Sequence, residues 1–400
     1  MGLVLSTIAA IVPTYNRKDY LVDTLQSLFG QTRPVEQIIV WDDGSVDGTE
    51  DAVKSLLRDN LTYHRAPNAG KSSALNQAMK FVKGDYVWIC DDDDLLLPHA
   101  AETLAGILDA DPSIGVAGGC YARFSEGPSG RVVTDAGYWP DLAQGTPARS
   151  LLEDIFLFQP AMMVRRECYE KVGPFNENLH RSIDYDMIAR LVVSTPIRMT
   201  EDILFQQRKH DGDRGSSKHR HSASDSEKVW SAQDRKVFRN LREKIPLSFY
   251  VAMYCDERPE LAERAGLMQR GCVYGRRNDW NNALDDFEAA ATIATDMPLG
   301  ATEMTICRRA MSGKHGVWPE PEETLRLGRL KERSDIGRQI SQSLGRGLTW
   351  RMRVAATEAQ PAEILRLLGL LKKTGLSLKP DPEGSKVQER RELPAEAYLC

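Results

Sequence analysis

Three short apolar runs, Ile8–Val12, Gln37–Trp41 and Tyr86–Cys90, and a short strand-like stretch, Leu61–His64, recur through the start of the chain. Between them lie stretches with helical spacing: Tyr20–Phe29 through Leu21, Leu25 and Leu28, then Thr49–Leu57, then Ser72–Val82 through Leu75, Ala78 and Met79. Short, mostly apolar strands alternating with helices predict an α/β domain with a mostly parallel central sheet covered on both faces. Sheets of this kind bind ligands beyond the carboxyl ends of their strands. Three loops fall at that edge: Pro13-Thr14-Tyr15-Asn16, Asp42-Asp43-Gly44-Ser45 and Asp91–Asp94. All three are polar and two are acidic.

The four consecutive aspartates carry the strongest chemical signal. Carboxylates gathered at the end of a buried strand are unfavourable unless a cation satisfies them. A divalent metal with oxygen ligands, itself carrying a phosphorylated substrate, is the natural partner. An acidic turn capping a helix is the plainer reading, but four adjacent carboxylates exceed what a cap requires.

Further along the pattern loosens. Gly115–Cys120 and Phe156–Val164 read as strands, and residues 125–150 as loop, rich in Gly, Pro and Ser. Arg166–Val172 and Tyr185–Val193 read as helices, and Ile203–Gln207 as a last strand. The basic cluster Arg208-Lys209-His210 could contact an anion, but a solvated loop is its more common reading. After about residue 226 helical periodicity takes over. The division expected is a catalytic domain over 1–225, an all-α region over 226–380 and a loose tail over 381–400. Asp279-Trp280 followed by Ala283–Ala290 resembles one tetratricopeptide hairpin, at about 262–298, although such arrays need about three units. Two helices of an ordinary bundle fit as well.

The composition excludes several classes. A net charge of -5 supplies no basic field for nucleic acid. The seven cysteines are scattered without a CxxC pair, which points to a reducing, cytoplasmic setting. No stretch reaches the roughly 18 apolar residues of a membrane span.

The first half resembles the family 2 glycosyltransferases of the GT-A fold, a Rossmann-like arrangement. The resemblance rests on Ile11–Arg17, Ile38–Thr49, Asn68–Asn76, Trp88–Pro98 and Val164–Glu177 leading to Asp184–Leu191, in that order over about residues 5–215. It implies an inverting transfer of a sugar from a nucleotide diphosphate donor, UDP-linked by preference, to a hydroxyl of a glycan, polysaccharide or lipid-linked acceptor. The family pattern Asp-x-Asp-Asp-x-x-x-Pro places its register by Pro98. Asp93 is then the expected ligand of Mg²⁺ or Mn²⁺, and Asp91 reaches the donor ribose or a metal-bound water. Asp92 breaks the pattern and counts only with the donor-binding run. Pro13, Thr14 and Tyr15 would line the nucleotide pocket. Asp42 would accept a base N–H, while Asn68, Gly70 and Lys71 would meet the diphosphate at a helix start. His210 matches a position that approaches the metal. Asp184 is the expected general base, with Asp186 in reserve because Ile183 stands where an acidic residue is usual.

Two other functions compete. A nucleotidyltransferase making an activated sugar shares the layout but usually places a Gly-rich loop with a basic residue after the first strand. A non-catalytic scaffold would use the C-terminal helices to recruit a partner. Those helices also leave room for self-association, and the acceptor class for peripheral attachment at the cytoplasmic membrane face.

Overall fold

The structure is a computed structural model, describing residues 6–127, 130–209, 226–376 and 384–399. Two compact units divide the chain. The first comprises Met1–Asp141, Ile155–Ala223 and Leu399–Cys400, and the second Leu142–Asp154 and Ser224–Tyr398.

The first unit begins with β1 (Ile8–Thr14), α1 (Lys18–Phe29), β2 (Gln37–Asp42), α2 (Thr49–Ser55), β3 (Leu61–Arg65), α3 (Lys71–Met79) and β4 (Tyr86–Ile89). β5 (Leu95–Leu96), α4 (Ala100–Ala110), β6 (Val116–Gly127) and β7 (Gly130–Ala136) follow. α5 (Pro147–Glu153) belongs to the second unit. The chain then returns to the first unit through β8 (Met162–Arg165), α6 (Arg166–Val172), α7 (Ile183–Ser194) and β9 (Ile197–Lys209).

The sheet order is β3-β2-β1-β4-β8-β6-β9-β5, with β7 paired to β6. β3, β2, β1 and β4 are mutually parallel, so their carboxyl ends share one edge. β8 then runs antiparallel to β4 and β6, while β6 and β9 are parallel. Every residue of β1 is buried, as is every residue of β4. Helices on both faces explain why these strands lack polar alternation.

Two expectations about this unit change. Residues 125–150 are not all loop: β7 pairs with the extended β6, although its side chains are exposed. Polar, glycine-containing sequence at a sheet edge hides a strand whose stability comes from backbone pairing. Phe156–Val164 is strand only from Met162, after a single turn of 3-10 helix at Gln159–Ala161. Pro160 removes one ladder donor there.

The second unit contains α8 (Ser226–Leu241), α9 (Leu247–Val251), β10 (Tyr254–Cys255), α10 (Pro259–Gly275), α11 (Trp280–Ala290), α12 (Ala301–Ala310), α13 (Pro321–Arg333), α14 (Asp335–Thr357), α15 (Pro361–Thr374) and β11 (Gln388–Glu389). α10 packs on α11, and α13 on α14, as antiparallel hairpins do. Glu153 of α5 is buried among Arg309 at 2.9 Å, Arg149 at 3.4 Å and Gln269 at 2.8 Å. Burial opposes its charge, yet Arg309, Arg149 and Arg276 outweigh it and draw its pKa down to about 2. That network is why residues 142–154, expected in the catalytic domain, cohere with the helices. The tail expected to be loose includes β11, which pairs with β10, and it buries Val387 and Leu393. Among the described residues, no helix is long and apolar enough to cross a membrane.

Candidate active site

The edge shared by β1 to β4 is laced together by its own loops. The Thr14 carbonyl accepts from Asp43 N–H at 2.9 Å. Asn16, at φ 54°, donates its N–H to Ser45 Oγ and accepts from Val46 N–H through Oδ1, both at 2.8 Å. The buried Asp43 carboxylate receives the N–H groups of Ala69 and Gly70, each at 2.8 Å. Burial raises its pKa, with these bonds pulling the other way. Gly44, at φ +89°, passes so close that a Cβ would lie 3.1 Å from Asn68 N and 3.2 Å from Ala66 O. Only glycine meets both conditions.

The acid run meets this edge through cations. Asp91 bonds the Lys71 ammonium at the start of α3. Arg17, in the loop after β1, donates to Asp92 at 3.1 Å and Asp93 at 2.6 Å. Asp94 accepts the Arg208 backbone N–H at 3.1 Å, and Arg208 Nε donates to the Asp93 carbonyl at 3.0 Å. The Arg208 guanidinium also pairs with Asp23 at 2.9 Å and with Glu126. It lies over the rings of Tyr20 and Phe124. Burial pushes the Asp92 carboxyl up to about 6, against the pull of Arg17. Burial, then Asp93 and Asp91, raise Asp94 well above the carboxylate range. At Lys71 burial opposes the charge, but Asp91, Asp184 and Asp92 outweigh it and raise its pKa.

α7 brings the last carboxylates. Ser182, ahead of its first turn, is held at φ 54°, a conformation disfavoured for non-glycine residues. Asp184 follows in the first turn, its Oδ1 accepting Tyr185 N–H at 2.9 Å. Its charge is felt at Lys71. Asp186 is buried and committed to Arg190, at 3.0 Å and 2.8 Å.

The remaining expected residues are scattered along the same edge. Pro13 is buried within β1, Thr14 is buried at its end, and Tyr15 is 41% exposed. Asn68 lines a shallow groove with Gly44, Arg65, Ala66 and Pro67. Gly70, at φ +93°, sets the turn into α3. Asp42 is fully buried, its oxygens held by Ser45 N–H at 2.7 Å and the Tyr63 hydroxyl at 2.5 Å. In this conformation its carboxylate presents no surface to a base. His210 lies outside the described residues. Among the described residues, no three metal-type side chains converge.

Sequence reasoning missed Arg17, although it closes the Ile11–Arg17 motif. It also misread Arg208 as part of a solvated loop. Arg208 sits in β9 with its side chain 2% exposed, a position recoverable only from the pairing of β9 with β6 and β5.

Residues 9–173 match the model of glycosyl transferase family 2. That stretch is similar to this family, and it spans less than half of the chain. It is 28% identical over 228 residues to an uncharacterized glycosyltransferase of Rickettsia felis, covering 56% of this chain and 38% of that one. Over 186 residues it is 25% identical to the chondroitin synthase of Pasteurella multocida, covering 46% of this chain and 18% of that one. The chain thus spans well under two thirds of these relatives. The fold is GT-A. A crystal structure of S. aureus TarS residues 1–349 in complex with UDP-GlcNAc superposes with a TM-score of 0.50 at 18% identity, covering 84% of this chain and 90% of that one.

Proposed function

We propose that the first unit is an inverting glycosyltransferase that moves a sugar from a nucleotide diphosphate, UDP by preference, to a hydroxyl of a glycan, polysaccharide or lipid-linked acceptor. The observation that carries this reading is the convergence of Arg17, Lys71, Asp91, Asp92 and Asp93 at one sheet edge, within the electrostatic reach of Asp184. A neutral acceptor hydroxyl and an anionic diphosphate need different partners, and this edge holds both kinds.

In the proposed reaction Lys71 and the start of α3 face the diphosphate. The Asn68 groove holds the nucleoside end. Asp184 accepts the proton of the attacking hydroxyl, on the side opposite the departing diphosphate. Asp186 is unsuited to that role because Arg190 holds its carboxylate. Asp93 fits a hard divalent cation. Its side chain is 16% exposed, while Asp92 beside it is 8% exposed. With so few protein ligands, the other oxygens would come from the diphosphate and water. Bound there, the cation would neutralise charge on the leaving diphosphate. The relative named as a chondroitin synthase favours a glycan acceptor. The helical unit is the part proposed to hold that acceptor, a membrane face or a second copy.

The test is nucleoside diphosphate release from UDP-, dTDP- and GDP-sugars, with Mn²⁺ or Mg²⁺ and then with EDTA, with and without glycan acceptors. Release that needs one sugar nucleotide class and stops in EDTA supports the proposal. No binding of any sugar nucleotide with Mn²⁺ by calorimetry would sink it.

A further inference from the structure

Gln159 occupies the single helical turn ahead of β8 and is 2% exposed. Neither its Oε1 nor its Nε2 has a hydrogen-bond partner. Burying an amide with both ends unmatched is unfavourable, and native interiors rarely keep one without a reason. The backbone around it is anchored. Trp88 Nε1 donates to the Pro160 carbonyl at 2.9 Å, and Ala161 N–H to the Phe158 carbonyl at 3.0 Å. The amide is therefore held at a defined place with nothing to bind.

That place follows from register. β8 is antiparallel to β4, with Trp88 opposite Met163 and Val87 opposite Val164. Residues ahead of Met162 therefore run along the carboxyl end of β4, where Cys90 and Asp91–Asp94 continue the chain. The turn also touches β6 and β9. Gln159 thus flanks the acid run on the side away from β1, with Arg17 and Lys71 reaching the run from the other elements.

We infer that Gln159 reads a hydroxyl of the donor sugar and sets which sugar is accepted. The chemistry narrows the ligand. A metal ion would use only the carbonyl end and a phosphate only the NH₂ end, leaving the other unmatched. The acid run disfavours further anions. A neutral hydroxyl, or a vicinal pair, both donates and accepts and so matches both ends of an amide. The donor sugar, rather than the acceptor, is chosen because the acid run beside Gln159 faces the diphosphate. This inference rests on the proposed reading that a sugar nucleotide binds at this edge.

The test uses the full chain with Gln159→Leu, which keeps volume without polarity, and Gln159→Asn, which keeps a shortened amide. Binding is measured for UDP, dTDP and GDP. It is then measured for hexose epimers and deoxyhexoses on whichever diphosphate the wild-type protein accepts. Gln159→Leu should melt at or above the wild-type temperature, because it removes an unmatched buried amide. It should bind the bare diphosphate within about twofold of wild type and lose at least tenfold of the preference among epimers. Gln159→Asn should keep part of that preference. Unchanged epimer preference in Gln159→Leu overturns the inference. So does a lower melting temperature with diphosphate affinity lost in parallel, which would mark a structural role, or an effect confined to acceptor KM. If the wild-type protein binds no sugar nucleotide at all, the proposed function fails first, and this inference falls with it.

Discussion

Replacing Asp186 with alanine should loosen the catalytic unit, while replacing Asp184 with asparagine should leave it folded and slow. Arg190, one turn on from Asp186, donates to it through Nε at 3.0 Å and Nη2 at 2.8 Å. The same guanidinium donates to the carbonyls of Val172 at 2.8 Å, Gly173 at 3.3 Å and Pro174 at 3.0 Å. The pair therefore pins the turn after α6 to α7. The two side chains are 13% and 6% exposed. Removing one member of a buried pair costs about 3–5 kcal/mol, because the other charge is left uncompensated. Three carbonyl acceptors remain for Arg190, so the lower end, about 3 kcal/mol, applies. For a unit of this size that is a loss of roughly 6–12 °C in Tm.

Asp184→Asn keeps shape and removes the proposed base. Its Tm should stay within about 1–2 °C of wild type, as for an isosteric change outside a buried pair. Its kcat should fall by about 10²–10⁴, the usual contribution of a positioned base. Donor binding should be retained. Thermal unfolding by circular dichroism, donor calorimetry and diphosphate release on both variants separate the roles. Normal transfer by Asp184→Asn would refute the base assignment. A folded but inactive Asp186→Asn beside it would move that role to Asp186.

Glu153 makes the helical unit sensitive to acid. Its pKa is about 2 when folded against 4.5 when free, so its contribution is fully present above pH 4.5 and is lost as pH falls toward 2. The contribution is about 3 kcal/mol, and Glu153→Gln should flatten the stability profile of wild type between pH 5 and 2 in urea melts. Asp93→Ala should abolish the Mn²⁺-dependent part of donor binding in calorimetry while leaving the far-UV spectrum unchanged; retained Mn²⁺ dependence would contradict its role as ligand. Gly44→Ala should lower Tm by several degrees, since it adds both a positive-φ strain of about 1–3 kcal/mol and a Cβ at 3.1 Å from Asn68 N.

The parallel half of the sheet was legible because three of its four strands are short apolar runs ending in polar turns. The acid run was legible because four carboxylates on one strand end have few other uses. The partners of those carboxylates were not. Lys71 pairs with Asp91, twenty residues on, and no local pattern reveals that bond. Asp42 was expected to present its carboxylate to a base, but Tyr63, one strand over, buries it, and no local pattern reveals a cross-strand bond. α5 lies in the second unit because Glu153 finds arginines more than a hundred residues ahead. Periodicity reports local structure and carries no information about such pairings.

The charges at the edge bear on why a cation should accompany the donor. Burial favours the neutral form of Asp94, and the charge of Arg208 is already matched by Asp23 and Glu126. That leaves Asp91, Asp92 and Asp93 facing Arg17 and Lys71. For these five groups alone the balance is one negative charge before any ligand arrives, and Asp184 adds to it. A sugar nucleotide diphosphate adds two more, and each unmatched pair at about 4 Å costs about 4 kcal/mol at the effective dielectric of such a site. Lys71 can turn from Asp91 to the phosphates, but that exchange leaves Asp91 uncovered and the sum unchanged. A further cation would offset it, and a divalent ion at Asp93 would balance the two charges the donor brings. The donor affinity should therefore rise steeply with Mn²⁺ and fall with added salt. An affinity indifferent to both would mean that the diphosphate binds away from the acid run.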